Sequence, residues 1–365
     1  LRGLAAFTVV IHHFGLMWPA WQACLGPWKL WRIHLTPFYP LYAGREAVML
    51  FFVLSGLVLS LPYLRGRGQP YPVYLLRRVL RIYAPYLGAL ALSIAGAAIW
   101  HNSQRHGWAS SFWSEPVDAK LVLQHIFFIG VYNWRQFDFV IWSLIYEMRI
   151  SIIFPVLALL IFRMRPQLAI LLAGSFSLLA LATANGQPHL SAVYNLMITF
   201  HYTAFFILGI LLATHLATIS AWYQRLSLLI RALLFMGSFT LYNESIRILD
   251  HSDTLASNLA LEWGVAIGAV GFIVTAINSS AASRLLNSAI PTFLGRISYS
   301  LYLIHAPVLL ALTFGMHKQL SAWAQFPIYL VAAIGAAYLF CISVEEPFTR
   351  MGQRLGRRSA VSTPR

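Results

Sequence analysis

Ten runs of apolar residues divide the chain, at 1–18, 46–62, 82–100, 141–162, 168–184, 196–216, 226–242, 259–277, 297–314 and 326–344. A helix needs about 20 such residues to cross a hydrocarbon core of about 30 Å. Lipid cannot satisfy backbone N–H and C=O groups, so a chain built this way must satisfy them within helices. The expected fold class is therefore all-α, a polytopic transmembrane bundle of about ten spans. The 365 residues are 59% hydrophobic and only 10% charged, where soluble domains carry about 25% charge. The run at 226–242 carries Arg231 and is the weakest of the ten. A further run at 121–131 is too short to cross and fits an interfacial or re-entrant segment.

A net charge of +15 would suit a nucleic-acid binder if it lay on an exposed surface. Here the basic residues fall in short loops between apolar runs, which argues for membrane topology and against nucleic acid. Alternating the loops places Lys and Arg on one side roughly two to one, which makes that side cytoplasmic. It receives both termini and the Arg77-Arg78-Val79-Leu80-Arg81 segment, while loops 19–45 and 101–140 face outward. Residues 1–350 read as one membrane domain and 351–365 as a disordered basic cytoplasmic tail. The chain opens on Leu1, almost inside a span, which suggests that N-terminal residues are missing. Cys24 and Cys341 form no metal or redox pattern and suit small packed side chains or free thiols at an interface. There is no metal-ligand spacing, no glycine-rich phosphate loop and no nucleophile elbow.

Polar residues inside spans are costly and therefore informative. Arg2 and His13 lie eleven residues apart, about three helical turns, so they share one helix face about 16 Å apart. His12 is rotated off that face. A histidine titrates near neutrality and suits a general base, though a satisfied structural histidine fits the same position. Arg77, Arg78 and Arg81 suit the phosphates of a nucleotide-like ligand, and equally a positive-inside anchor on lipid headgroups. Glu147 and Arg149, two residues apart in the run that opens Trp142-Ser143, point to different faces. They fit catalysis or an ion-pair network between helices. Ser298, Tyr302 and His305 make one polar stripe, either functional or a set of interhelical hydrogen bonds. Gly44-Arg45-Glu46 precedes a Phe51-Phe52 pair and Ser55-Gly56. The Ser-Gly pair suits close helix approach, and Glu46 suits acceptor binding or simple solvation at the outer face.

In this order the segments resemble the acyltransferase-3 family of bacterial integral membrane O-acyltransferases. Arg2 to His13 is similar to its R-x10-H motif, GREAVMLFFVLSG to its second span and RRVLRIYAPY to its basic motif. WSLIYEMRISIIFP, SYSLYLIHAPV and VEEPFTR are similar to its later segments, and the match runs over nearly the whole chain. Two departures stand out. Many relatives carry a second acid after the position of Glu147, where this chain has Met148 and Arg149. Many carry an acid just before the Phe pair, where this chain has Met49 and Leu50 with Glu46 further back.

The resemblance implies an acyltransferase transferring groups other than aminoacyl groups, in the bacterial inner membrane, multi-pass. The donor would be cytoplasmic acyl-CoA, with acetyl-CoA the first candidate, and no metal would take part. The acceptor would be a hydroxyl of a cell-envelope or exported glycan or glycoside. His13 and Glu147 would be catalytic, and Arg2, Arg77, Arg78 and Arg81 would hold the donor phosphates. Glu46, Trp142, Arg149, Tyr302 and His305 are the substrate or oxyanion candidates. No extracytoplasmic hydrolase-like domain follows, so transfer is completed by this chain or by a separate extracytoplasmic transferase partner. A transporter or flippase for a lipid-linked glycan or small molecule would display similar intramembrane polar residues. So would a non-catalytic partner in envelope assembly.

Overall fold

The computed structural model describes residues 1–17, 39–101, 107–243, 254–316 and 321–361. Every regular element among them is helical. In chain order these are α1 (Arg2–Met17), α2 (Gly44–Leu64), α3 (Tyr71–Arg78), α4 (Ala84–Trp100), α5 (Ala119–Phe127) and α6 (Ile141–Arg163). There follow α7 (Pro166–Ala184), α8 (Ala192–Thr214), α9 (Leu216–Arg225), α10 (Leu228–Tyr242) and α11 (Leu255–Asn278). The last four are α12 (Ser280–Leu286), α13 (Ala289–Gly315), α14 (Ala322–Phe340) and α15 (Glu346–Val361). A π turn at Val79–Tyr83 joins α3 to α4, and a second at Cys341–Glu345 joins α14 to α15.

Eight of these helical stretches are long and apolar enough to cross a membrane. They coincide with eight of the ten apolar runs. The other two runs form α1 and α10, apolar helices of 16 and 15 residues. The chain is a multi-pass membrane protein. The run at 121–131 contains α5, whose Leu123 and Phe127 are exposed. Helix starts follow local chemistry: Ser191, Ser227, Thr254 and Ser321 each accept the backbone N–H three residues on, satisfying a donor the helix leaves over.

One region departs from expectation. The segment read as a disordered tail is helical as far as Val361, as part of α15; residues 362–365 lie outside the described residues. Its charge pattern looks like a solvated tail, but it continues a span through a π turn. Arg77 donates to its Gly352 and Gln353 carbonyls, and Arg296 pairs with its Glu346 at 2.7 Å. Cys24 also falls outside the described residues; Cys341 is buried.

The chain divides into two compact units. The first gathers Leu1–Val9, Pro27–Gly68 and Ile153–Gly295. Its centre is the crossing of α2 and α8. A Cβ on Gly56 would collide with the Phe206 carbonyl oxygen, and one on Gly209 with that of Val53. The Ser-Gly pair thus does permit close approach, with a glycine supplied by each helix. The second unit gathers Val10–Gly26, Gln69–Ile152 and Arg296–Arg365. It holds most of the residues singled out above.

Candidate active site

In the second unit α1 brings His13 against His305 of α13, with His13 Nδ1 3.0 Å from His305 Nε2. His305 is fully buried, and its Nδ1 lies 2.9 Å from the Leu301 carbonyl one turn back. A carbonyl only accepts, so that nitrogen carries the proton and His305 Nε2 carries a lone pair. His13 Nδ1–H is then the donor across the pair. Neutral His13 is held in the tautomer whose Nε2 is a proton acceptor. His305 therefore fixes the orientation of the His13 ring through a neutral acceptor rather than a carboxylate. Such a partner suits a span, where an ion is expensive.

Aromatic rings frame the pair. Trp108 stacks on His13 at 5.7 Å and 13°, and Phe139 sits 4.7 Å from the same ring. The His12 ring meets His13 edge-on at 5.4 Å. Tyr302, one turn before His305, shares a 2.6 Å hydrogen bond with Ser143 and donates to the Val140 carbonyl at 3.2 Å. The polar stripe on α13 therefore fastens that helix to the start of α6. Asp138 lies just before this point. Its Oδ1 accepts from Val140 N at 3.1 Å, while its buried Oδ2 has no hydrogen-bond partner. Burial pushes its carboxyl up to about 7. Trp108, Asp138, Phe139 and Ser143 lie in or beside the 101–140 loop. Ser143 stands in the WSLIYEMR segment, but Trp108, Asp138 and Phe139 belong to no motif, and only their fold neighbours reveal them.

The arginines of the basic segment have separate partners. Arg78 is buried and pairs with Glu147 at 3.0 Å, and it donates to Ser151 Oγ at 2.7 Å. Tyr74 adds a hydrogen bond to the Ser151 carbonyl at 3.0 Å. Arg77 reaches α15, as above, and Arg81 is exposed on the π turn. Glu147 and Arg78, assigned separate roles from sequence, thus form one ion pair between α3 and α6. Arg149 donates to the Ile129 and Gly130 carbonyls at 2.9 and 2.6 Å, holding the loop after α5. Trp142 packs edge-on to Tyr146 at 6.3 Å.

Arg2 and Glu46 belong to the first unit. Arg2 is half-buried at the start of α1. Glu46 is buried and accepts from the Tyr39 hydroxyl at 2.5 Å. Nearby runs a polar chain that the motifs did not reveal. Arg45 donates to Glu262 at 2.7 Å, the other Glu262 oxygen meets His201 Nε2 at 2.9 Å, and His201 Nδ1 meets Ser177 Oγ at 2.9 Å. Trp263 Nε1 donates to Ser177 at 2.8 Å. Glu262 is the sole acid of α11 and His201 the sole histidine of α8, which is the signal a scan for intramembrane ionisable residues would use. Among the described residues no group of three His, Cys, Asp or Glu side chains is gathered as a metal site.

The arrangement is a half-buried His13 against a buried His305, framed by aromatic rings. Residues 1–342 match the acyltransferase-3 family model, described as an acyltransferase domain. The chain belongs to the acyltransferase-3 family. It is a membrane-embedded acyltransferase, and the match covers every candidate residue named from the sequence. No curated protein and no solved structure matches this acyltransferase-3 chain.

Proposed function

We propose that this acyltransferase-3 protein moves an acyl group, acetyl first among the candidates, from acyl-CoA on the cytoplasmic side of a bacterial inner membrane. The acceptor is a hydroxyl of a cell-envelope or exported glycan or glycoside. The observation that carries the reading is the His13–His305 hydrogen bond, because it presents His13 Nε2 as a base. His13 Nε2 takes the proton of the acceptor hydroxyl as its oxygen attacks the thioester carbon. The tetrahedral intermediate collapses, the carbon–sulfur bond breaks, and the CoA thiolate takes the proton back from His13. The interim imidazolium donates through Nδ1 to His305 Nε2, which stabilises it without an ionised partner. Trp108 and Phe139 keep water from the imidazole. Tyr302 sets the angle of α13 through Ser143 and Val140, and Glu147 with Arg78 braces α3 against α6.

The test is labelled acetyl transfer in membrane vesicles, with acetyl-CoA and an envelope-glycan pool. Label entering glycan with wild type and lost with His13→Ala, at equal folded protein, supports the reading. Transfer that survives His13→Ala rejects the base, and glycan movement without any CoA favours a flippase.

A further inference from the structure

The basic segment at 77–81 leaves a question about the donor. Arg77 and Arg78 are engaged by α15 carbonyls and by Glu147 with Ser151, as joints between helices. A cationic surface of a different build lies on the helix they hold. α15 carries a groove of about 480 Å³ lined by Pro347, Arg350, Met351, Arg354 and Leu355. A pocket of that volume falls within the range of sites for drug-sized ligands. Pro347, Met351 and Leu355 recur every four residues and form an apolar rail. Arg350 and Arg354 form a cationic rail beside it. The five side chains are exposed. A flat base suits the apolar rail, since Met is polarisable and adapts to ring faces. Phosphate oxygens suit two guanidinium forks one turn apart.

We propose that this groove holds the nucleotide end of the acyl donor, with Arg350 and Arg354 on its phosphates and Met351 and Leu355 beneath its base. The proposal rests on the acyl-CoA reading above and gives that donor a place. Arg350 is paired with Glu346 at 2.5 Å, and Glu346 is also held by Arg296 at 2.7 Å. Arg350 can therefore turn to a phosphate while Glu346 keeps a cation. The helix is pinned against the basic segment: a Cβ added at Gly352 would lie 3.5 to 3.6 Å from Leu80 and Arg77 Cα, ordinary van der Waals contact. Arg77 thus contributes by holding the groove rather than by binding the phosphates.

The experiment is CoA binding to the full chain in zwitterionic nanodiscs, by calorimetry. The variants are Arg350→Ala/Arg354→Ala, the charge-keeping Arg350→Lys/Arg354→Lys, and Arg165→Ala as a control in another loop. The expected result is a Kd raised about 10- to 100-fold for the alanine pair, about 1.4 to 2.7 kcal/mol, with a smaller rise for the lysine pair and none for Arg165→Ala. Tight CoA binding that the alanine pair leaves unchanged overturns the groove and spares the donor reading. Failure of wild type to bind CoA overturns both. A second arm replaces the lipid with an anionic one. If the alanine pair keeps its CoA affinity but loses anionic-lipid binding, the groove belongs to lipid headgroups and the proposal fails.

Discussion

Each unit of the molecule buries a histidine pair of contacts, and the two are built differently. In the first, His201 lies between Glu262 and Ser177, and both ring nitrogens are engaged. Ser177 accepts from Trp263, so its own proton faces His201 Nδ1, and the His201 Nε2–H faces the carboxylate. Arg45 completes the chain by countering the charge of Glu262. The result is a closed polar joint linking α2, α7, α8 and α11. In the second unit the partner of the histidine is another histidine, itself fixed by a backbone carbonyl. The contrast shows that an intramembrane histidine is best judged by what its partner does to its tautomer. A carboxylate with an arginine behind it makes a joint. A neutral imidazole that accepts from one nitrogen of the histidine leaves the other as a proton acceptor, which is what the proposed base requires.

His13→Ala is the strongest way to break this comparison. Transfer per folded molecule should fall about 10³-fold, the range for losing a general base, while thermal stability in detergent changes little. If activity drops only in step with stability, the two histidine sites are alike. Glu262→Ala should do the reverse. Removing Glu262 leaves the buried His201 Nε2 without its acceptor and costs about 1 to 3 kcal/mol of stability, with the catalytic rate of the surviving folded protein close to wild type. A thermal melt beside a rate measurement decides the point. His305→Ala comes next, with an expected loss of about 10- to 100-fold as His13 loses the acceptor that fixes its tautomer. A pH–rate profile should show an altered basic group, which a purely structural loss would not produce.

The last test concerns Asp138. Its carboxyl is raised by burial to about 7, so folding favours the protonated form. The stability it allows is complete below its ordinary value near 4 and is lost as pH rises toward about 7, with a slope of about 1.4 kcal/mol per unit. Asp138→Asn keeps the shape without the titration. Its melting temperature should be flat between pH 5 and 7 where that of the wild type declines, and parallel slopes would refute the assignment.

The spans were legible because the hydrocarbon core demands a length of apolar helix that few other constraints imitate, and the eight long helices fall on all of the ten runs except 1–18 and 226–242. The histidine on α1 and the stripe on α13 were legible because polar groups stand out in an apolar run. Their mutual contact was not, since nearly 300 residues separate His13 from His305 and periodicity describes only one helix at a time. Glu147 shows the same limit from the other side: the residue was visible, and its partner Arg78 was visible, but not that they were one pair. Asp138 and Trp108 lie in a loop whose conformation has no periodic signature. The tail was misread because charge density alone does not distinguish a solvated coil from a basic helix held by Arg77 and Arg296.

The π turn at Val79–Tyr83 carries a consequence for the arginines around it. A π turn bonds each residue to the fifth along rather than the fourth, so it stores one extra residue in the helix. Counted on a regular wheel, Arg77 and Arg81 fall one above the other. Arg77 and Arg78 both precede the turn and stand about 100° apart on α3, which sends one to α15 and the other to Glu147. What the wide turn sets is the phase of α4 relative to α3, and so the facing of every α4 side chain that follows the pair.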